Sequence, residues 1–216
     1  MFNDLKTLYA IMTLGDNMEI KRFSLGLLRS NCYVLSNHGH AIIIDPGYES
    51  NEVVEYIESE NLIVDLIYIT HGHHDHVGGV RQMKNHFDVL VMAPIKDIEF
   101  MGDFPLNRFG YPIPVDIWVG EGYQFQAIDH TFLVYDAPGH SEGGTLLYVD
   151  HVLFTGDTLF YQSIGRTDIP RANSEILYKT IKHIYQTFPS ETVIYPGHGR
   201  HSTIGHEQKF NPFVKL

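Results

Sequence analysis

Residues 71–76 read His-Gly-His-His-Asp-His and follow directly on the apolar run 66–70. So many polar, titratable groups in six residues are hard to explain as packing, because buried polar groups need partners. The block therefore constrains the fold more than any other feature: a strand must end here, and other donors must meet it. In an extended segment residues two apart point the same way, so His71 and His73 can grip one ion together. The chain then turns toward Gly78-Gly79, where a helix starts, and this places Asp75 and His76 in a second, adjacent cluster. His74 points away from its neighbours in an extended segment and is left out of the donor set. Imidazole and carboxylate are the ligands expected for zinc, iron or manganese.

Three more donors share this context. His140 follows residues 134–139, Asp157 follows 152–156, and His198 follows 193–197, each shortly past an apolar strand and after glycine. Polar groups converging from strand ends onto one rim is how open sheet folds build sites. Five histidines and two aspartates are too many for one tetrahedral ion, so two metals sharing one carboxylate are expected. Asp45, before Pro46-Gly47, is a candidate outer partner for a ligand histidine, or else a turn-forming residue. The remaining histidines show no convergent context.

Strand-length apolar runs recur at 31–35, 41–44, 62–70, 89–93, 131–135, 145–149, 152–155 and 192–195. Asp150-His151 between two of them reads as a tight hairpin. Helical spacing appears at 51–60, after Gly78-Gly79 through Val80, Met83 and Phe87, and at 174–188. In the last, Ile176, Leu177, Thr180, Ile181, Ile184, Tyr185 and Phe188 form one stripe, stopped by Pro189. Strands thus outnumber helices, an α/β chain of sheet layers flanked by helices. Residues 94–114 interleave prolines with Phe100, Phe104, Phe109 and Tyr111. They are expected to form a long loop around a short helix, either packing its own aromatics or walling a site.

The chain has 216 residues and a net charge of −11, which argues against nucleic acid as a partner. A lone cysteine, Cys32, makes no internal disulfide and fits a reducing compartment, so a cytoplasmic protein is expected. No window of about 18 apolar residues occurs, so no membrane span is expected. Residues 18–216 read as one domain. Residues 1–17 read as an N-terminal extension, flexible or non-native, or an upstream start.

The pattern His71-x-His73-x-Asp75-His76, then His140, Asp157 and His198, resembles the metallo-β-lactamase superfamily from about residue 18 onward. The resemblance implies an αβ/βα sandwich of two packed mixed sheets, with a two-metal site at one edge. It places His71, His73 and His140 on one metal and Asp75, His76 and His198 on the other, with Asp157 bridging. Residues 154–160 (Phe-Thr-Gly-Asp-Thr-Leu-Phe) are similar to glyoxalase II. Residues 163–168, with the tail 203–213, look like the short bacterial glyoxalase II-like hydrolases. Eighteen residues follow His198, so the helical domain that supplies much of the glutathione contact in glyoxalase II is not expected. The lysine and tyrosine expected after the bridging aspartate are replaced by Arg166 and Asp168.

The expected activity is metal-dependent hydrolysis of a small-molecule thioester by a hydroxide bridging two divalent ions, zinc first, with iron or manganese as alternatives. Asp75 is expected to orient that nucleophile and accept its proton. A thiolate, of parent pKa about 8.5, leaves with little help, so no Ser-His-Asp arrangement is needed. Arg166 is the candidate receiver of a substrate carboxylate, or else half of a surface ion pair. The alternatives are an iron-dependent persulfide dioxygenase, a lactonase, and a non-catalytic metal-binding protein.

Overall fold

The strand Ser30–Asn37 is buried along its whole length, and its alternation explains why. Cys32 and Val34 enter one apolar cluster while Tyr33 and Leu35 enter another, so the sheet that contains it has a core on each face. The computed structural model describes residues 18–215; the expected extension, residues 1–17, lies outside the described residues.

The first sheet runs in spatial order β1 (Glu19–Leu25), β2 (Ser30–Asn37), β3 (His40–Ile44), β4 (Ile63–Tyr68), β5 (Leu90–Pro94) and β6 (Ile117–Val119). Its first three strands pair antiparallel and the rest parallel. The second sheet contains β7 (Gln124–Ala127), β8 (His130–Asp136), β9 (Thr145–Val149), β10 (Val152–Gly156), β13 (Val193–Pro196) and β14 (Ser202–Thr203). It runs in the order β14-β13-β10-β9-β8-β7, parallel only between β10 and β13. A small hairpin, β11 (Leu159–Phe160) with β12 (Ser163–Ile164), follows β10.

Ile42, Ile44 and Tyr68 of the first sheet meet Phe132, Leu147 and Phe154 of the second between the sheets. On the outer face of the first sheet, α1 (Asn51–Ser59) and α3 (Val80–Phe87) bury Val53, Ile57, Val80 and Met83. On the outer face of the second, α5 (Ser174–Thr187) buries Leu177, Ile181, Ile184 and Tyr185 against Leu146, Leu153 and Ile194. Ser50 caps α1 through Val53 N, and Asn173 caps α5 through Ile176 N. The layers are helix, sheet, sheet, helix, as expected. Short helices α2 (His74–Val77) and α4 (Ile98–Met101) lie on the rim, and α6 (Ile204–Phe210) packs beside α5.

The stripe on α5 is narrower than expected. Ile176 is 42% exposed, because the helix rests on the sheet along an arc centred on Leu177 and Ile181. The Asp150-His151 hairpin is present, with both residues at positive φ (43° and 65°), as a primed turn requires. Residues 94–114 do contain a short helix, α4, with a single 3₁₀ turn before it and β-free chain to Val115. No helix among the described residues is long and apolar enough to cross a membrane.

Candidate metal centre

The strands of both sheets end at one rim, and the chemistry-bearing residues lie just past those ends. β3 leads to Asp45, and β4 to His71 and His73. The chain then coils into α2 with Asp75 and His76, so His74 opens a helix rather than continuing an extended segment. From the second sheet come His140, in the loop between β8 and β9, Asp157 after β10, and His198 after β13. Two ties hold the sheets together here. Asn31 donates from its backbone to the Gly197 carbonyl at 2.7 Å and from Nδ2 to the Pro196 carbonyl at 2.8 Å. Thr145 donates to the Thr70 carbonyl through both N and Oγ1, each at 2.9 Å.

Four of the five histidines turn Nε2 inward because Nδ1 is already engaged outside. His76 Nδ1 donates to Asp45 Oδ2 at 2.9 Å, His140 Nδ1 to the Arg166 carbonyl at 2.9 Å, and His198 Nδ1 to the Leu28 carbonyl at 3.1 Å. His71 Nδ1 faces Thr70 Oγ1 at 3.1 Å, and that hydroxyl donates onward to Asp45 Oδ2 at 2.6 Å. An outer acceptor on one ring nitrogen fixes the tautomer and aims the other lone pair inward. His73 instead presents Nδ1, 2.8 Å from His140 Nε2.

Three donor sets have all their ligand atoms within 4.8 Å of one another: His71, His73 and His140; Asp75, His76 and His198; and Asp45, His71 and His76. The carboxylate of the third is filled from within the chain, since Asp45 also accepts from Thr70 N at 2.7 Å. Asp157 stands between the first two sets. Its Oδ1 is 3.4 Å from His76 Nε2, while Oδ2 is 3.4 Å from His140 Nε2 and 3.5 Å from His198 Nε2. His198 Nε2 also lies 3.3 Å from Asp75 Oδ2.

His71 Nε2, His76 Nε2 and Asp157 Oδ1 are buried and make no hydrogen bond. An unpaired buried polar group costs about 1–3 kcal/mol, and converging imidazole and carboxylate lone pairs are what a divalent cation satisfies. The residues present therefore fit divalent metal ions.

Charge is divided unevenly across the cluster. Burial, then the neighbouring His76, pushes His71 well below its ordinary range; burial, then His140, brings His73 to about 3. Burial also opposes charge on His76, yet Asp157 and Asp45 hold it well above the ordinary value. Against burial, Asp157 and Asp75 lift His198 to about 9. Burial likewise opposes ionisation of the two carboxylates, but His198 and His76 bring Asp75 to about 2, and His76 and His198 hold Asp157 well below the usual range.

Sequence reading missed Asp97, fully buried in the turn after β5. Its Oδ2 accepts from Gly72 N and Ser141 Oγ, each at 2.8 Å, and Oδ1 accepts from Gly143 N at 2.6 Å. One carboxylate thus fastens the His71–His73 segment to the His140 loop. Burial raises its pKa although all three donors pull it down. A Cβ on Gly72 would lie 2.7 Å from Phe100 Cβ, and one on Gly143 would lie 2.6 Å from Asp97 Oδ1, so the close approach requires glycine at both. No signal short of the fold marks a single aspartate in a loop.

The cluster opens into a cavity of about 550 Å³. His73, Asp75, His140, Asp157 and His198 form one part of its lining, and Phe100, Leu106, Phe109 and Phe160 much of the apolar remainder. The long loop 94–114 is thus a wall of the site. Arg166 also lines the cavity, but its guanidinium is held by Asp168 at 2.9 and 3.0 Å.

A family model described as the metallo-beta-lactamase superfamily matches residues 25–198. The chain belongs to the metallo-beta-lactamase superfamily. Among superfamily relatives, the hydroxyacylglutathione hydrolase GloC of Haemophilus influenzae is 34% identical over 209 residues, covering 91% of this chain and 98% of that protein. The probable metallo-hydrolase YqgX of Bacillus subtilis is 30% identical, covering 91% and 98%. Of solved superfamily structures, the BLEG-1 B3 metallo-beta-lactamase superposes with a TM-score of 0.84 at 33% identity, covering 91% of this chain and all (100%) of that one. TTHA1623 in a di-iron-bound form gives 0.78 at 32% identity, covering 90% and 100%. ETHE1 from Myxococcus xanthus, at 22% identity, 0.77, and 90% and 84% coverage, shares the fold.

Proposed function

We propose that this superfamily member is a metal-dependent hydrolase that cleaves thioesters. In this reading His71, His73 and His140 hold one divalent ion, Asp75, His76 and His198 hold the other, and Asp157 bridges them. The observation that carries it is the placement of Asp157, whose two oxygens face the two histidine sets at 3.4 to 3.5 Å. When bound, a pair of divalent ions supplies a water made acidic near neutral pH and an electrophile for an acyl oxygen.

The chain's own groups do the rest. Asp75, on the cavity lining with its Oδ2 3.3 Å from His198 Nε2, accepts a hydrogen bond from the attacking water, orients it and takes its proton. Asp45 fixes the ring of His76 directly and that of His71 through Thr70. The apolar wall of Phe100, Leu106 and Phe109 receives the non-reacting part of the substrate and keeps bulk water away. A thiolate leaves without an acid beside it, and the identity to GloC supports a thioester over a lactone. Zinc suits the imidazole-rich donor set; iron is the alternative that the di-iron relative supports.

The test is to strip the protein with a chelator, reload it with zinc or iron, and assay a thioester, a persulfide and a lactone on the same batch. Thiol release from the thioester, abolished in Asp157→Ala, is the expected result. Oxygen consumption with the persulfide and no thiol release would replace this reading by a persulfide dioxygenase.

A further inference from the structure

Arginines near the cavity fall into two kinds. Arg166 gives Nε and Nη2 to Asp168 at 2.9 and 3.0 Å. Arg171, next to Pro170 of the rim, is paired with Glu99 at 2.6 Å and Glu142 at 3.7 Å. Arg108 also lines the cavity, yet among the described residues it has no hydrogen bond, ion pair or ring contact.

The backbone that carries Arg108 is braced without its help. Asn107 Nδ2 donates to the carbonyls of Gly102 and Tyr111, each at 2.8 Å, and Asn107 Oδ1 accepts from Phe109 N at 2.8 Å. The Arg81 guanidinium lies 3.7 Å over the Tyr111 ring and pins the far side of the loop to α3. A hydrogen-bonded loop therefore places an arginine with no acid beside it on the cavity lining, next to Leu106 and Phe109. Guanidinium matches carboxylate bidentately and stays charged at any working pH. The molecule carries a net charge of −11, so away from the metal ligands an anionic group on the substrate is repelled by the bulk surface and gains from a cation on the cavity wall.

Resting on the thioester reading above, we infer that Arg108 anchors a carboxylate on the non-reacting part of the substrate, with an apolar segment between that carboxylate and the thioester. Arg166, which the sequence offers for the same role, already has its charge matched by Asp168 through two of its five donors, whereas Arg108 has no acid beside it among the described residues. The preferred substrate class is an anionic, partly apolar thioester, the carboxylate borne by either the acyl or the thiol portion.

The experiment uses the metal-loaded protein and three matched thioesters: neutral, with the carboxylate on the acyl side, and with it on the thiol side. One of the two acids should be preferred over the neutral compound. Arg108→Ala should raise KM for that acid about tenfold with kcat unchanged, leave the neutral compound unaffected, and be partly rescued by Arg108→Lys. Equilibrium binding of the matching non-cleavable thioether acid separates the two claims. If no thioester is cleaved but Arg108→Ala still weakens thioether binding, the carboxylate anchor stands and the thioester reading fails. If thioesters are cleaved and Arg108→Ala shifts neutral and acidic substrates alike, or shifts neither, the anchor is overturned.

Discussion

The two halves of the cluster, three histidines in one and an aspartate with two histidines in the other, end in different charge states. Buried His71 and half-buried His73 face other imidazoles, and the lowering of both, with His73 at about 3, leaves them neutral at pH 7. His76 and His198 face carboxylates, which overcome burial and hold both protonated, His198 up to about 9. The buried aspartates behind them differ too: Asp97 fastens only the first half, through Gly72, Ser141 and Gly143, while Asp45 holds the second directly through His76 and reaches the first through Thr70. The difference teaches that a ligand set is defined by what stands opposite each ring. His71 and His73 offer lone pairs to a cation at once; His76 and His198 must first give up protons.

The most severe way to break the comparison is Asp157→Ala, which removes the one group both halves share. Hydrolysis is expected to fall by more than about a hundredfold, the upper range for loss of an outer-shell partner, and metal content to drop on elemental analysis. Retention of both activity and metal would mean that the halves do not depend on a bridge.

Next come Asp97→Ala and Asp45→Ala. Each should weaken metal binding by about 10- to 100-fold, Asp97→Ala in the imidazole half alone and Asp45→Ala most in the carboxylate half with a smaller loss in the other through Thr70 and His71, as read by competition with a chromophoric chelator. Equal weakening of both sites by Asp97→Ala would erase the distinction. Asp97→Asn, which keeps an acceptor for part of the clamp, should lose less than Asp97→Ala.

The pH dependence sharpens the comparison further. Between pH 7 and 9 the affinity of the carboxylate half should rise about tenfold per unit for each proton displaced, while His71 and His73, already neutral, add no such rise to the other half. The metal-free fold carries the opposite sign. His198 is raised from 6.5 to about 9, so its stabilisation is complete below pH 6.5 and is lost as pH rises through about 9. Asp75 is lowered from 3.8 to about 2, so its contribution is present above 3.8 and lost as pH falls through about 2. Denaturant melts of metal-free protein should therefore show falling stability from pH 6.5 to 9, and a rise there would contradict the assignment.

Metal removal is read on stability. At free metal one hundred times Kd, each site should contribute about 2.7 kcal/mol, seen as a drop in Tm on chelation. Loss from one half before the other, in the order set by pH, would support the asymmetry.

Much of this was readable before any coordinates. The periodic spacing at Val53, Val54 and Ile57, or at Leu177 and Ile181, reports a buried helix face directly, since only a packed stripe repeats every three to four residues. Alternation in β2 and the strand-end position of His140, Asp157 and His198 are equally local signals. What escaped is what tertiary contact creates. β6 and β14 are three and two residues long and exist because β5 and β13 offer them a ladder. α2 has four residues, too few for a period, so His74 was expected in an extended segment. Asp97 and Arg108 are single side chains in one irregular loop, and their meaning comes from Gly72 and Gly143 in one case and a missing acid in the other. Arg166 reads from sequence as a carboxylate receiver or half of a surface ion pair, and only the fold shows its pairing with Asp168.

The most direct test of the central claim, a two-ion hydrolytic centre bridged by Asp157, is a metal titration of chelated protein at pH 7.5 with thioester hydrolysis followed at each addition. The account predicts that the first equivalent fills the imidazole half with little turnover, and that hydrolysis rises with the second and then stops rising. Full activity at one equivalent, or two bound equivalents with no thioester cleaved, would contradict it.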